Sequence, residues 1–188
     1  MKIENIISLA IENTNQEHIE MTEYGIYKAP EYLITVNISK ELQKLDNIAY
    51  TYMEWKTKDL LESDNLEINN IRNGKADICV VFEDNTNALI EVKNTITQIG
   101  AKLNSIHKDI ERIGEFILNA NDFFNIGYVC FIVMANTQKY SLDKANKFIS
   151  GMIKKFKNLQ LVATTTSFQD NDNNYFTSVV IEITNLKE

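Results

Sequence analysis

The sequence predicts one α/β domain, a central mixed sheet flanked by helices, with an extra helix at the N-terminus and a helix and hairpin at the C-terminus. Three observations predict it. Two short apolar runs, 78–82 and 88–93, flank the polar cluster Asp84-Asn85-Thr86-Asn87 and read as an antiparallel hairpin. Residues 103–120 repeat apolar side chains by threes and fours and lead into the unbroken apolar run 128–135. A strand, a crossover helix and a second buried strand make a unit whose strands are expected to be parallel and whose crossover is expected to be right-handed. The length of 188 residues, with 44% hydrophobic and 24% charged residues, suits a single globular domain.

Each element has its own justification. Ile3, Ile6, Ile7, Ala10 and Ile11 recur at helical spacing until Asn13-Thr14-Asn15 ends the pattern. Residues 16–29 read as a connection with one short strand near 24–27. Pro30 suits the first turn of the next helix, which carries Ile34, Ile38, Leu42 and Leu45 on one face to about residue 45. Residues 48–55 alternate as a strand, with Ile48, Tyr50, Tyr52 and Glu54 on one face and Ala49, Thr51, Met53 and Trp55 on the other. The acidic stretch 59–67 reads as a solvated loop or short helix. After the hairpin come Leu103, Ile106, Ile110, Ile113, Ile117 and Ala120 on one helix, then Gly127 and the buried strand 128–135. A further amphipathic helix spans 142–156 behind Ser141 as N-cap, and strands 161–168 and 175–184 meet at a polar tip. That tip, 169–174, lacks the glycine and distal glutamate of a calcium-binding loop.

Chemistry concentrates in the hairpin. Asp77, thirteen intervening residues, and Glu91-Val92-Lys93 set two acids and a lysine into apolar strands. With a loop of odd length, such as 84–86, Lys93 lies opposite Asp77, and Glu91 lies opposite Cys79 on the same face; an even loop separates Asp77 from the pair. Ionised carboxylates in buried strands are expensive unless paired or bound to a cation. A shared divalent cation answers that cost, and Mg²⁺ takes oxygen ligands of this kind. On the helix 103–120, Lys108 and Arg112 are four apart, which makes them candidates for touching a phosphate backbone, beside Lys102, Asp109, Glu111 and Glu115 on its polar side. His107 has no cysteine, histidine or serine partner pattern around it, so neither a zinc site nor a Ser/His/Asp arrangement is expected.

At these residues the chain resembles the PD-(D/E)xK nuclease superfamily, whose core carries an Asp at the start of one strand and acid-x-Lys on the next. Gly74-Lys75-Ala76 leads into Asp77, and Ala76 stands where the name motif has proline. The resemblance implies a restriction-endonuclease-like αβββαβ core over roughly 30–135 and Mg²⁺- or Mn²⁺-dependent hydrolysis of DNA phosphodiesters. Asp77 and Glu91 would hold the metal. Lys93 would orient or activate the attacking water and stabilise charge on the phosphorane. A further acid near the sheet is often present in such proteins; Glu31, in the first turn of the second helix, is the candidate for this additional metal ligand, and Glu54 competes with it.

Charge and cysteines frame the rest. The formal net charge of −7 argues against a broadly nucleic-acid-adhesive surface, yet residues 98–158 hold nine Lys/Arg against five Asp/Glu. Cys79 and Cys130 lie inside strands, so buried free thiols and a cytoplasmic setting are expected. No membrane-spanning run or signal peptide is read. The rival to a DNase is a nuclease-fold protein that no longer cuts and serves as a homodimer or protein partner.

Overall fold

In the computed structural model, the described residues are 2–56, 59, 74–96, 101–120 and 122–186. Helix α1 (Ile3–Thr22) is followed by a 3-10 turn (Ile26–Lys28), α2 (Glu31–Leu42), β1 (Ile48–Lys56), β2 (Lys75–Phe82), β3 (Asn87–Ile96), α3 (Ala101–Asn119), β4 (Phe124–Ala135), α4 (Gln138–Lys155), β5 (Leu159–Gln169) and β6 (Tyr175–Asn185). The strands form one mixed sheet in the order β1-β2-β3-β4-β6-β5, with β3 and β4 parallel and every other neighbouring pair antiparallel. The apolar run expected to be a buried strand is thus an interior one, between β3 and β6. Its side chains alternate between two cores: Val129, Phe131 and Val133 face α3 and α4, while Tyr128, Cys130 and Ile132 face α1 and α2. Both cysteines are buried thiols.

Gly127 sets how closely α3 lies on this sheet. A Cβ there would stand 2.3 Å from Ile113 Cγ2 and 3.2 Å from the Leu89 carbonyl oxygen. The helix face carrying Ile106, Ile110, Ile113 and Ile117 can therefore descend onto β3 and β4.

Four expectations about elements are corrected. Helix α1 does not end at Asn13-Thr14-Asn15 but continues to Thr22. The polar side chains of Thr14 and Asn15 face α2 and the 3-10 turn and are satisfied there: Thr14 Oγ1 donates to the Ala10 carbonyl, Asn37 Nδ2 donates to Thr14, and Asn15 Oδ1 accepts from the Ile26 N–H. The strand expected near 24–27 is the 3-10 turn. Helix α4 starts a turn earlier than expected, because Thr137 caps it through the Tyr140 N–H at 3.2 Å and Ser141 instead bonds Gln138 and Thr177. Trp55 does not oppose Tyr52: the backbone at Glu54 has φ of 56°, the alternation slips, and the two rings lie 4.4 Å apart on one side. The acidic stretch 59–67 lies outside the described residues apart from Asp59.

Because Gly127 meets packed atoms, a Gly127→Ala variant is expected to lose about 1–3 kcal/mol to overpacking. Urea unfolding measures this, and an unchanged midpoint would contradict the close approach of α3.

Candidate active site

The hairpin loop fixes which residues meet. It has three residues, the odd case, but they are Glu83, Asp84 and Asn85: Phe82 N–H bonds the Thr86 carbonyl at 2.9 Å, Asn85 N–H bonds the Phe82 carbonyl at 3.0 Å, and Asn85 takes the left-handed φ of 62°. Compared with a loop at 84–86, each partner moves by two residues, so Cys79 pairs with Leu89 rather than Glu91. A shift of two preserves the face. Asp77, Glu91 and Lys93 therefore still converge, although Lys93 is not the residue opposite Asp77.

The ladder between β2 and β3 runs to Ile78 and Ile90, and beyond it Asp77 takes over with its side chain. Asp77 Oδ2 accepts the Val92 N–H at 2.7 Å. Lys93 Nζ then becomes the centre of an oxygen cluster. It donates to the Val92 carbonyl at 3.0 Å and lies 3.3 Å from Asp109 Oδ2, 3.8 Å from Asp77 Oδ2 and 4.0 Å from Glu91 Oε2. Glu91, with 1% of its side chain exposed, also receives a short hydrogen bond from Arg112 Nη2, which stands 3.5 Å from Asp109 Oδ1.

Two residues of α3 thus join the site, each in a role the sequence does not suggest. Helical spacing makes Arg112 a phosphate contact sharing a face with Lys108; instead its guanidinium turns inward onto Glu91 while Lys108 is exposed. Gly74 makes room for it, since a Cβ there would stand 2.6 Å from Arg112 Nη1. Asp109 counts in the sequence as one of the helix's polar-side acids. Its place three residues after Ile106 and four before Ile113 puts it at the border of the buried stripe, and that spacing was the available signal.

Glu31 and Glu54 part company. Glu31 Oε2 accepts the Asn94 N–H at 2.9 Å, and Asn94 also donates to the Ala29 carbonyl, so the start of α2 is tied to β3 beside Lys93. Glu54 pairs with Lys75 at 3.3 Å on the exposed side of β1. His107 lies edge-on to Phe156, with ring centroids 5.7 Å apart.

Burial governs the protonation of the cluster. It pushes the Glu91 carboxyl well above the usual carboxylate range, with Arg112 and Lys93 pulling back against Asp77 and Asp109. Burial likewise raises Asp109, against the pull of Lys93 and Arg112. For Lys93 burial acts downward, but Asp109, Asp77, Glu91 and Glu31 together outweigh it and hold the ammonium above its ordinary value. Arg112 Nε is one of the buried polar atoms of the described residues without a hydrogen-bond partner, and Asp109 Oδ2, also buried, faces only the Lys93 ammonium at 3.3 Å. Among the described residues, no group of three His, Cys, Asp or Glu is arranged to hold a metal ion.

Comparison with protein-family models, with curated protein sequences and with solved structures finds no match to this chain. No helix among the described residues is long and apolar enough to cross a membrane.

The raised Glu91 gives a pH prediction with a definite sign. A carboxyl whose folded pKa lies above its unfolded value of about 4.3 favours the fold when protonated, so this stabilisation is present at low pH and lost as pH rises through the folded value. Lys93, raised from its own reference, loses its contribution only in the alkaline range, so it does not contribute a slope between about pH 5 and 8. Chemical denaturation across that window is expected to show wild type losing stability relative to Glu91→Gln as pH rises. Parallel curves would mean that Glu91 is not perturbed in the fold.

Proposed function

We propose that this chain is a Mg²⁺- or Mn²⁺-dependent nuclease that hydrolyses DNA phosphodiester bonds, a cytoplasmic member of the superfamily its Asp77 and Glu91-Val92-Lys93 motif resembles. One observation carries the reading: four oxygens, from Val92, Asp109, Asp77 and Glu91, surround a single cationic nitrogen at 3.0–4.0 Å at one end of the hairpin. The element order α2-β1-β2-β3-α3-β4 agrees with the αβββαβ core that the resemblance implies.

The donor set fits a hard divalent cation in kind. Its atoms are carboxylate and carbonyl oxygens, the type Mg²⁺ and Mn²⁺ prefer. Three carboxyl groups face two cationic side chains, and Asp109 Oδ2 is a buried acceptor facing the Lys93 ammonium at 3.3 Å. Asp77 and Glu91 would hold the ion. When bound it would polarise the phosphate and lower the pKa of a coordinated water.

The chain's own residues supply the remainder. Lys93, held above its ordinary pKa by the surrounding acids, stays an ammonium at neutral pH; its part is charge stabilisation at the phosphate rather than proton abstraction. Asp77, anchored on the Val92 N–H, keeps one oxygen in a fixed place on the strand. Asp109 stands within 3.3 Å of the ammonium and positions it. Glu31, through Asn94, locks the end of β3 on which Lys93 sits. Lys108, exposed on α3, is available to a phosphate backbone.

A second reading, a nuclease-fold protein that binds without cutting, is favoured by the Arg112 contact, because a guanidinium fixed on Glu91 competes with a metal for that carboxylate. Cleavage of single-stranded, duplex and nicked DNA with Mg²⁺ or Mn²⁺ separates the two. Wild type is expected to cut, and Asp77→Ala and Lys93→Ala each to lose on the order of 10²–10³-fold. Equal residual cleavage by all three proteins would assign the activity to a contaminant and leave the binding reading.

A further inference from the structure

Strand β1 is an edge strand of the sheet and carries a row of aromatic rings toward the site. Tyr50 and Tyr52 are 60% and 42% exposed. Their ring centroids are 6.1 Å apart, and the Tyr52 ring lies 4.4 Å from that of Trp55. The left-handed backbone at Glu54 brings the third ring to the side of the other two, where Trp55 packs against the core beneath α3. Trp55 pairs with Ala76, the residue before Asp77, so the row ends beside the carboxylate cluster.

Edge pairing with another strand does not explain these rings. The outer rim of β1 is already occupied: the Gln43 side chain accepts the Thr51 N–H at 3.1 Å and donates to the Ala49 carbonyl at 3.3 Å. The irregularity at Glu54 and the charge of Lys56 further blunt the edge. Past Trp55 the alternation places Lys56 and its cross-strand partner Lys75 on the opposite face of the sheet, where Glu54 meets Lys75 at 3.3 Å. The exposed rings of Tyr50 and Tyr52, continued by Trp55, are complementary to unpaired bases, which stack on such rings.

We propose that the row Tyr50, Tyr52 and Trp55 is a stacking platform for an unpaired DNA strand and feeds its backbone to Asp77, Glu91 and Lys93. The choice of an unpaired substrate rests on the nuclease reading above, but the platform is tested without catalysis. Unpaired bases stack on such rings because each offers a free face, whereas a duplex keeps its base faces inside.

The test is fluorescence anisotropy of a labelled pyrimidine oligonucleotide, single-stranded or annealed to its complement, in EDTA so that nothing is cut. Wild type is expected to bind the single strand more tightly than the duplex. A Tyr50→Ala, Tyr52→Ala double variant should weaken single-strand binding about 10- to 100-fold, and the Tyr50→Phe, Tyr52→Phe variant should retain it. Because both tyrosines are exposed, unchanged melting curves confirm folding. Equal binding of both DNA forms, or single-strand binding that survives the alanine pair, overturns the platform even if the enzyme cuts. A change of oligomeric state in that pair, without a change in DNA binding, overturns it too and makes the row a self-association surface. Selective single-strand binding by a protein that cuts nothing keeps the platform and sinks only the nuclease reading.

Discussion

Three carboxylates brought to one end of a buried hairpin, and the ammonium of Lys93 that lies among them, form the constraint on which this molecule turns. Glu91 is almost wholly out of water, so the burial cost of its charge must be met by nearby cations or by a proton. Lys93 and Arg112 meet part of it. Arg112 reaches Glu91 because Gly74 leaves space for the guanidinium, and α3 delivers both Arg112 and Asp109 because Gly127 lets the helix lie close on β3 and β4. Features that look separate along the chain, two glycines and one helix face, serve a single charge balance.

The same region shows how a break in regular pairing creates chemistry. At Glu54 on β1 and Asp77 on β2 the regular ladder is interrupted, and Asp77 bonds the Val92 N–H with its carboxylate. A backbone acceptor at that point would leave a closed strand edge. A carboxylate puts that same oxygen 3.8 Å from Lys93 and leaves an anionic end to the sheet. On β1 the interruption also turns Trp55 toward Tyr52, so site and aromatic row share one structural cause.

The sequence discloses these features unevenly, and the physics explains which. The hairpin and the apolar interior strand β4 are legible because alternation and unbroken apolar runs are local signals. Asp77, Glu91 and Lys93 fall on one face once the hairpin loop has an odd length, which the sequence leaves open, and that placement survives a loop displaced by one residue. Asp109 is hidden because its partner, Lys93, arrives from another element, and only its position at the border of an isoleucine stripe marks it. The continuation of α1 past Asn13-Thr14-Asn15 is hidden for the same reason: the polar atoms of Thr14 and Asn15, which look like a helix stop, are satisfied by Asn37 and Ile26 after folding. Strict alternation puts Trp55 on the wrong face because a left-handed glutamate has no dependable sequence signature.

The proposed nuclease requires that the oxygen cluster around Lys93 accept a divalent ion, to which the ammonium yields. Thermal melting with and without millimolar Mn²⁺ tests it most directly, because an ion that binds only the folded state stabilises it by about 2.7 kcal/mol at a hundredfold excess over its dissociation constant. The melting temperature of wild type is expected to rise with Mn²⁺, while curves for an Asp77→Asn, Glu91→Gln double variant coincide. A wild type indifferent to Mn²⁺ would contradict the claim and leave Lys93 and Arg112 as the permanent counterions of the cluster.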